Sequence, residues 1–293
     1  MELHQLRYLV AVAEAGTFTE AASRQFVSQS GVSAQIAKLE RELGHRLFRR
    51  SGRTVGLTDA GEALLPHARA VLSAVDAMRE TADELSGLLR GHVRLGMITG
   101  CEMPDFFGGL ADFQARHPGV TVDVTEDDSE RLIRGVSSGR IDVALAAYAD
   151  APGAGLRVTT VIEEDLVAVL PEGHRLSRSS RVRLSDLRDE RPFCLSAGTG
   201  VRAAFDASLR RAGVDVAVGF SAGSPRTVIQ MVRRGLGVAV LSLSMVDDPD
   251  LTVRPIVDAP VRNRLGLVMR SEPGAASAEE LHAVLRAGLA PGS

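Results

Sequence analysis

Cysteine is nearly absent from this 293-residue chain: Cys101 and Cys194 are its two, and they stand 93 positions apart. A disulfide scaffold or a zinc site with paired ligand spacing cannot be built from them, and a reducing compartment suits the chain. Long apolar runs are missing too. No stretch approaches the roughly eighteen apolar residues of a membrane span, and Glu2, His4 and Arg7 interrupt the first turns, so neither insertion nor export is supported. The expected location is the cytoplasm, with no membrane partner. Lysine has almost vanished, Lys38 being the single one among 34 Lys and Arg, which reflects genome base composition more than mechanism. A dominant charge is also lacking: 34 basic residues against 37 acidic ones leave a net charge of −3, which read globally gives no hint of a polyanion partner. What is present is 45% hydrophobic content over a length sufficient for two or three domains with cores, which excludes whole-chain disorder.

The first sixty residues read as short helices with tight punctuation. Leu6, Leu9, Val10 and Ala13 follow helical spacing up to Gly16, a left-handed cap. Thr17 with Glu20 is a capping box that opens a second helix, Glu20 to Phe26. Ser28 is the N-cap of a third, Gln29 to Leu43, whose stripe Val32, Ile36, Leu39, Leu43 ends at Gly44. Two helices joined across Phe26 to Ser28 make a helix-turn-helix candidate. Leu47 to Leu57, with Gly52, Gly56 and β-branched Thr54 and Val55, suits a small hairpin or wing.

After Thr58, the residues Leu64, Ala68, Val71, Val75, Met78, Ala82, Leu85 and Leu89 form a heptad seam on a helix expected to end near Gly91, about 45 Å long at about 1.5 Å per residue. A second copy of the chain is its natural partner, through Leu64, Val71, Val75, Met78 and Leu85; packing on the chain's own later domain is the alternative. Beyond Gly91 the texture is α/β. A βαβαβ run to Ala147 and a second set from Asp165 are joined by connecting stretches around Val158 to Glu164 and Pro260 to Leu267, leaving a cleft between two halves.

The mild total charge hides a local excess. Between Arg24 and Arg53 stand seven basic residues (Arg24, Lys38, Arg41, Arg46, Arg49, Arg50, Arg53) and two acids, Glu40 and Glu42, the kind of patch that phosphates need. Gln29, Ser30 and Ser33 lie near the third helix's start and off its apolar stripe, as side chains entering a major groove do. The ordered run Leu6-Arg7-Tyr8-Leu9, Gly16-Thr17-Phe18-Thr19-Glu20-Ala21-Ala22, Val27-Ser28-Gln29-Ser30, Leu47-Phe48-Arg49-Arg50 and Leu57-Thr58-Asp59-Ala60-Gly61 resembles the signature of LysR-type transcriptional regulators. Gly139 to Leu145 and Val232 to Leu241 resemble that family's effector-binding region, so the likeness spans nearly the whole chain. Ala34 and Gly31 depart from it, standing where arginine and alanine are common, which implies fewer anchoring contacts or different central bases in the operator.

The resemblance implies an α/β fold class with an all-α, winged N-terminal domain. A winged helix-turn-helix (1–58) binds operator DNA, a linker helix (59–90) dimerises, and a two-lobed domain (91–293) of the type II periplasmic-binding-protein kind holds a small effector. Its lobe I runs over about 91–160 and 266–293, and lobe II over about 161–265. Expected partners are double-stranded DNA, further copies in a homodimer or homotetramer, and the effector, with no cofactor, metal or catalytic residue. DNA contacts fall to Arg24, Ser28, Gln29, Ser30, Ser33, Lys38, Arg49 and Arg50, with Arg53 on the wing. Helix N-termini bind carboxylates and similar anions, so the polar loops 99–102 and 196–200 are candidate effector contacts through Thr99, Gly100, Cys101, Ser196, Thr199 and Arg202; a third, 221–224, precedes Pro225. Arg202 reads equally as a surface residue, Glu102 disfavours a simple dicarboxylate, and Cys101 reads either as a redox sensor or as a small filler.

Other classes explain less. A stand-alone ligand-binding protein leaves the basic N-terminal region without a purpose. Gly198-x-Gly200-x-x-Ala203 lacks the acid that closes a dinucleotide fingerprint. Gly219-x-Ser221-x-Gly223, with Asp247, Asp258 and His282 downstream, matches a hydrolase elbow in form, but Gly223-Ser224-Pro225 delays the helix that should follow at once.

Overall fold

The structure, a computed structural model, describes residues 1–51, 54–84, 89–272 and 274–289. Arg53, Leu85 and the side chain of Arg50 lie outside the described residues. The N-terminal unit packs α1 (Leu3–Ala15), α2 (Phe18–Arg24) and α3 (Gln29–Leu43) around Leu9, Val12, Ala21, Val32, Ile36 and Leu39, against a hairpin of β1 (Phe48–Ser51) and β2 (Thr54–Leu57). The caps at Gly16, Ser28 and Gly44 fall where the sequence puts them, whereas of the Thr17–Glu20 box only the Thr17 half forms, the Glu20 carboxylate accepting from Arg24 instead. Gly16 and Gly44 are left-handed, the Thr17 hydroxyl accepts from the Glu20 N–H, and the Ser28 hydroxyl accepts from the Gly31 N–H. α2 starts and stops two residues earlier than expected, because Thr17 caps it and the chain turns at Gln25.

α4 (Asp59–Glu84) follows, with Pro66 accommodated in its early turns. Its described residues span about 39 Å, residues 85–88 lie outside the described residues, and Leu89 stands outside the helix, just before a strand begins at Gly91.

Two five-stranded sheets complete the chain. The first comprises β3 (Gly91–Ile98), β4 (Val120–Asp127), β5 (Val143–Tyr148), β6 (Leu156–Glu164) and β12 (Asn263–Arg270), in the order β4-β3-β5-β12-β6. It is flanked by α5 (Pro104–Arg116), α6 (Ser129–Ser137) and α9 (Ala276–Gly288). The second, ordered β11-β7-β10-β8-β9, comprises β7 (Leu166–Leu170), β8 (Phe193–Leu195), β9 (Phe220–Ala222), β10 (Ala239–Ser242) and β11 (Thr252–Pro255). α7 (Gly200–Ala212) and α8 (Pro225–Arg233) pack on it.

The two stretches expected as connections are strands: β6 and β12 pair antiparallel within the first sheet. The chain therefore crosses between sheets at Asp165 and at Arg262, not at the 160/161 and 265/266 junctions expected from sequence. β9 is short, and residues 214–219 before it are irregular.

Candidate functional site

The start of α3 is open to solvent: Phe26, Val27, Ser28, Gln29, Ser30 and Gly31 are all exposed. Val32, Ile36 and Leu39 turn into the core, which holds the helix with its first turn outward. Ser28 caps the helix, its hydroxyl 3.2 Å from that of Ser30, and Gln29 between them is exposed. Ser33 is half-buried and Lys38 exposed one turn on. Arg24 is exposed and donates to Glu20 at 3.0 Å, so this predicted phosphate ligand already has an acidic partner. Arg49 is exposed on β1.

Both acids of the basic segment are engaged elsewhere. Glu40 accepts from the Leu47 and Phe48 N–H groups at 2.8 and 3.3 Å, fastening the hairpin to α3, and Glu42 pairs with the N-terminal ammonium. Among the described residues, neither acid is paired with an arginine or lysine of the segment. The role of Glu40 was hidden in the sequence because its partners are backbone groups seven and eight residues away.

The heptad stripe on α4 divides. Ala68 is buried within the chain, Leu64 and Val75 are half-buried, and Val71 and Met78 keep 41% and 69% of their surface exposed. A different stripe faces the chain's own body. Leu65 joins the N-terminal core; Arg69, 8% exposed, donates to Glu14 at 2.8 Å; Arg270 reaches the Ser73 hydroxyl at 3.4 Å. The Glu80 carboxylate, 6% exposed, accepts from the Ser277 N–H and hydroxyl at 3.0 and 2.8 Å in the first turn of α9. Beside this contact lies a cavity of about 470 Å³, walled by Val10 of α1, Arg69, Asp76 and Glu80 of α4, Arg94 of β3 and Asp142 just before β5.

Between the sheets, loops from both lobes meet. Gly100 at φ +72° faces Ser224 and Pro225, and the Glu130 N–H donates to the Gly198 carbonyl at 3.1 Å. Gly198 lies against Asp128, the N-cap of α6, and a Cβ on Gly200 would stand 2.4 Å from Ala147 Cβ and 2.6 Å from Asn263 Oδ1. The glycines that imitate a dinucleotide fingerprint thus let α7 seat on the first sheet.

The predicted effector residues sit around this seam with unequal freedom. Thr99 and Gly100 are exposed. The Thr199 hydroxyl donates to the Ser196 carbonyl at 2.8 Å. Arg202 is tied through Nε to both Asp206 oxygens at 3.0 Å. Cys101 packs against the first lobe's core, and burial, seconded by Glu126, pushes its thiol up despite a backbone hydrogen bond at Met103. Sequence reading missed Asp128, Ser129 and Asn263. Asn263 Oδ1 and Ser242 Oγ are buried without a hydrogen-bond partner, and their isolation in sequence gave no signal.

The hydrolase constellation does not assemble. Ser221 is in β9, Asp258 accepts from the Leu184 N–H, and His282 sits on α9 beside Thr159 of the other sheet. Among the described residues there is no group of three or more His, Cys, Asp or Glu able to hold a metal, and no helix long and apolar enough to cross a membrane.

A basic winged helix-turn-helix joined by a long helix to a pair of α/β lobes is the build of a ligand-responsive DNA-binding regulator. Residues 3–62 match the bacterial regulatory helix-turn-helix model of the lysR family, and residues 86–290 match the LysR substrate binding domain. The chain belongs to the LysR family of transcriptional regulators, whose members bind operator DNA, form oligomers, respond to small-molecule effectors and are not enzymes. It is 38% identical over 277 residues, 92% of this chain and 88% of the relative, to a probable hydrogen peroxide-inducible genes activator of Mycobacterium avium. It is 32% identical over 275 residues, 92% of this chain and 95% of the relative, to the HTH-type transcriptional regulator BudR of Raoultella terrigena. A full-length OxyR cysteine-to-aspartate variant from Pseudomonas aeruginosa superposes with a TM-score of 0.76 at 26% identity, covering 99% of this chain and 94% of that one. The regulator CbnR in complex with its target DNA shares the fold with a TM-score of 0.58 at 22% identity, covering 98% and 100%.

Proposed function

We propose that residues 1–58 read the operator through the first turn of α3, with Gln29 and Ser30 at base edges and Ser28 and Ser33 beside them. Arg24, Lys38, Arg49, Arg50 and Arg53 neutralise phosphates. Residues 59–90 assemble two copies along Leu64, Val71, Val75, Met78 and Leu85, and residues 91–293 bind a small molecule in the seam lined by Thr99, Gly100, Cys101, Ser196, Thr199 and Arg202. The regulator works in the cytoplasm, where its DNA is. The observation that carries this reading is the unbroken run of exposed residues from Phe26 to Gly31 on a basic head. Ligand that favours one arrangement of the lobes shifts the placement of the heads; a ligand with equal affinity for both arrangements shifts nothing.

A second reading comes from relatives named as peroxide-inducible activators, and the thiols argue against it. Cys101 packs against one core and Cys194 lies in the other, and burial pushes both thiols up, Cys194 to about 12, which disfavours the reactive thiolate at each. The test is a footprint on DNA flanking the chain's own gene, with ligands found by thermal shift and separately with hydrogen peroxide. A ligand should alter the footprint, while peroxide leaves wild type and Cys101→Ser alike unchanged. A peroxide response in wild type that Cys101→Ser abolishes would overturn the bound-effector reading.

A further inference from the structure

Phe26 is misplaced by every criterion internal to the fold. It follows the C-cap of α2 in the left-handed region, at φ +54°, and the described non-glycine residues with positive φ are Phe26 and Arg191. The conformation is imposed by the turn itself: the Phe26 N–H donates to the Ser23 carbonyl and the Val27 N–H to the Ala22 carbonyl, both at 3.1 Å. Such a position favours glycine or asparagine and strains an aromatic residue. The ring gains nothing in return from packing, since it is 95% exposed and stands outside the core of the N-terminal unit.

Strain of this kind persists where a site outside the chain's own packing uses it. Next to Phe26 in sequence is the open first turn of α3, with Val27 half-uncovered and Ser28, Gln29 and Ser30 exposed. Their polar groups suit hydrogen-bonding base edges; Phe26 can make only apolar contact. In the major groove the apolar group that distinguishes one base from the others is the thymine C5-methyl. Resting on the reading of this turn as the DNA face, we propose that Phe26 is a specificity-determining residue that packs on a thymine methyl flanking the bases met by Gln29 and Ser30.

The experiment uses the full-length protein on its footprinted operator at one fixed salt concentration, with affinity and urea midpoint measured for wild type, Phe26→Asn and Phe26→Leu. Asparagine tolerates the left-handed turn, so Phe26→Asn should match or exceed wild type in stability while binding the operator about fivefold to tenfold more weakly. Phe26→Leu, keeping apolar bulk, should recover most of that loss. Replacing the operator thymines one at a time by uracil should reveal one position per half-site that weakens wild type by a similar factor and leaves Phe26→Asn unaffected. Unchanged or tighter binding by Phe26→Asn overturns the proposal. So does a loss that simply adds to every uracil substitution, which would put the ring on the sugar backbone and leave the wild-type footprint, and with it the DNA-binding reading, intact.

Discussion

Gly200 shows how a residue can be legible in identity and misleading in meaning. Its spacing from Gly198 imitates a nucleotide loop, but its use, the close approach of α7 to Ala147 and Asn263, joins positions more than fifty residues apart and leaves no local pattern. Ser28, Thr17 and Gly44 were legible because a cap acts within three or four residues of itself. His282 is another distant case. It is buried on α9, 3.2 Å from the Thr159 hydroxyl, and burial first, then Arg157 and Arg286, lower its pKa from the ordinary 6.5, with Glu279 opposing. The unfolded chain therefore binds this proton at a higher pH than the folded one. The associated stability is complete above pH about 6.5 and is lost as the pH falls from there through the folded pKa. His282→Gln should flatten the decline in urea midpoint between about pH 7.5 and pH 5.5; a decline as steep as wild type would show that other groups govern it.

α4 carries two messages, of which the sequence displayed one. Apolar residues at heptad spacing are conspicuous, whereas the face turned to the chain's own body is written in Arg69, Ser73 and Glu80, which read as solvent residues until their partners are known. β6 and β12 were hidden for related reasons. β6 is an edge strand with mixed charge and β-branched residues, and β12 is interrupted by Gly266, where the register shifts and a Cβ would meet the Thr159 carbonyl at 2.7 Å. Of the apolar stripe, Val71 and Met78 are uncovered within one chain, and a helix of this length presenting them repeatedly calls for a second helix. Met78→Glu should place a charge in that seam while leaving the monomer's own contacts alone. Sedimentation equilibrium should show the dimer dissociating at least tenfold more readily, with helix content unchanged by circular dichroism. A dimer of undiminished affinity would mean that assembly uses another surface.

At the scale of the molecule, the charge of −3 divides into +3 over residues 1–58 and −6 over the remainder, so a basic head sits on an acidic body that DNA repels. That division was readable from the sequence; the joint between head and body was not, because its members are single polar residues far apart in the chain. Arg69 binds α4 to Glu14 of α1, Arg270 reaches from β12 to Ser73, and Glu80 caps α9 at Ser277, so α4 is clasped at once to the head and to the first lobe. Gly91, at φ +153°, lies against the same carboxylate, and a Cβ there would stand 2.2 Å from Glu80 Oε1. A lobe rearrangement that moves α9 must therefore drag α4 or break this contact. Glu80→Ala strips the acceptor from a buried N–H and hydroxyl and should cost about 1–3 kcal/mol of stability, read as a lower urea midpoint. A cycle with Ser277→Ala should give a coupling of about 0.5–3 kcal/mol. Operator affinity without ligand should stay within about twofold of wild type, because α3 and the stripe through Val71 and Met78 are untouched. The ligand-dependent change in footprint should be lost, since the first lobe no longer grips the helix that carries the heads. A Glu80→Ala protein whose footprint still answers to ligand as wild type does would show that the signal leaves the lobes by another route.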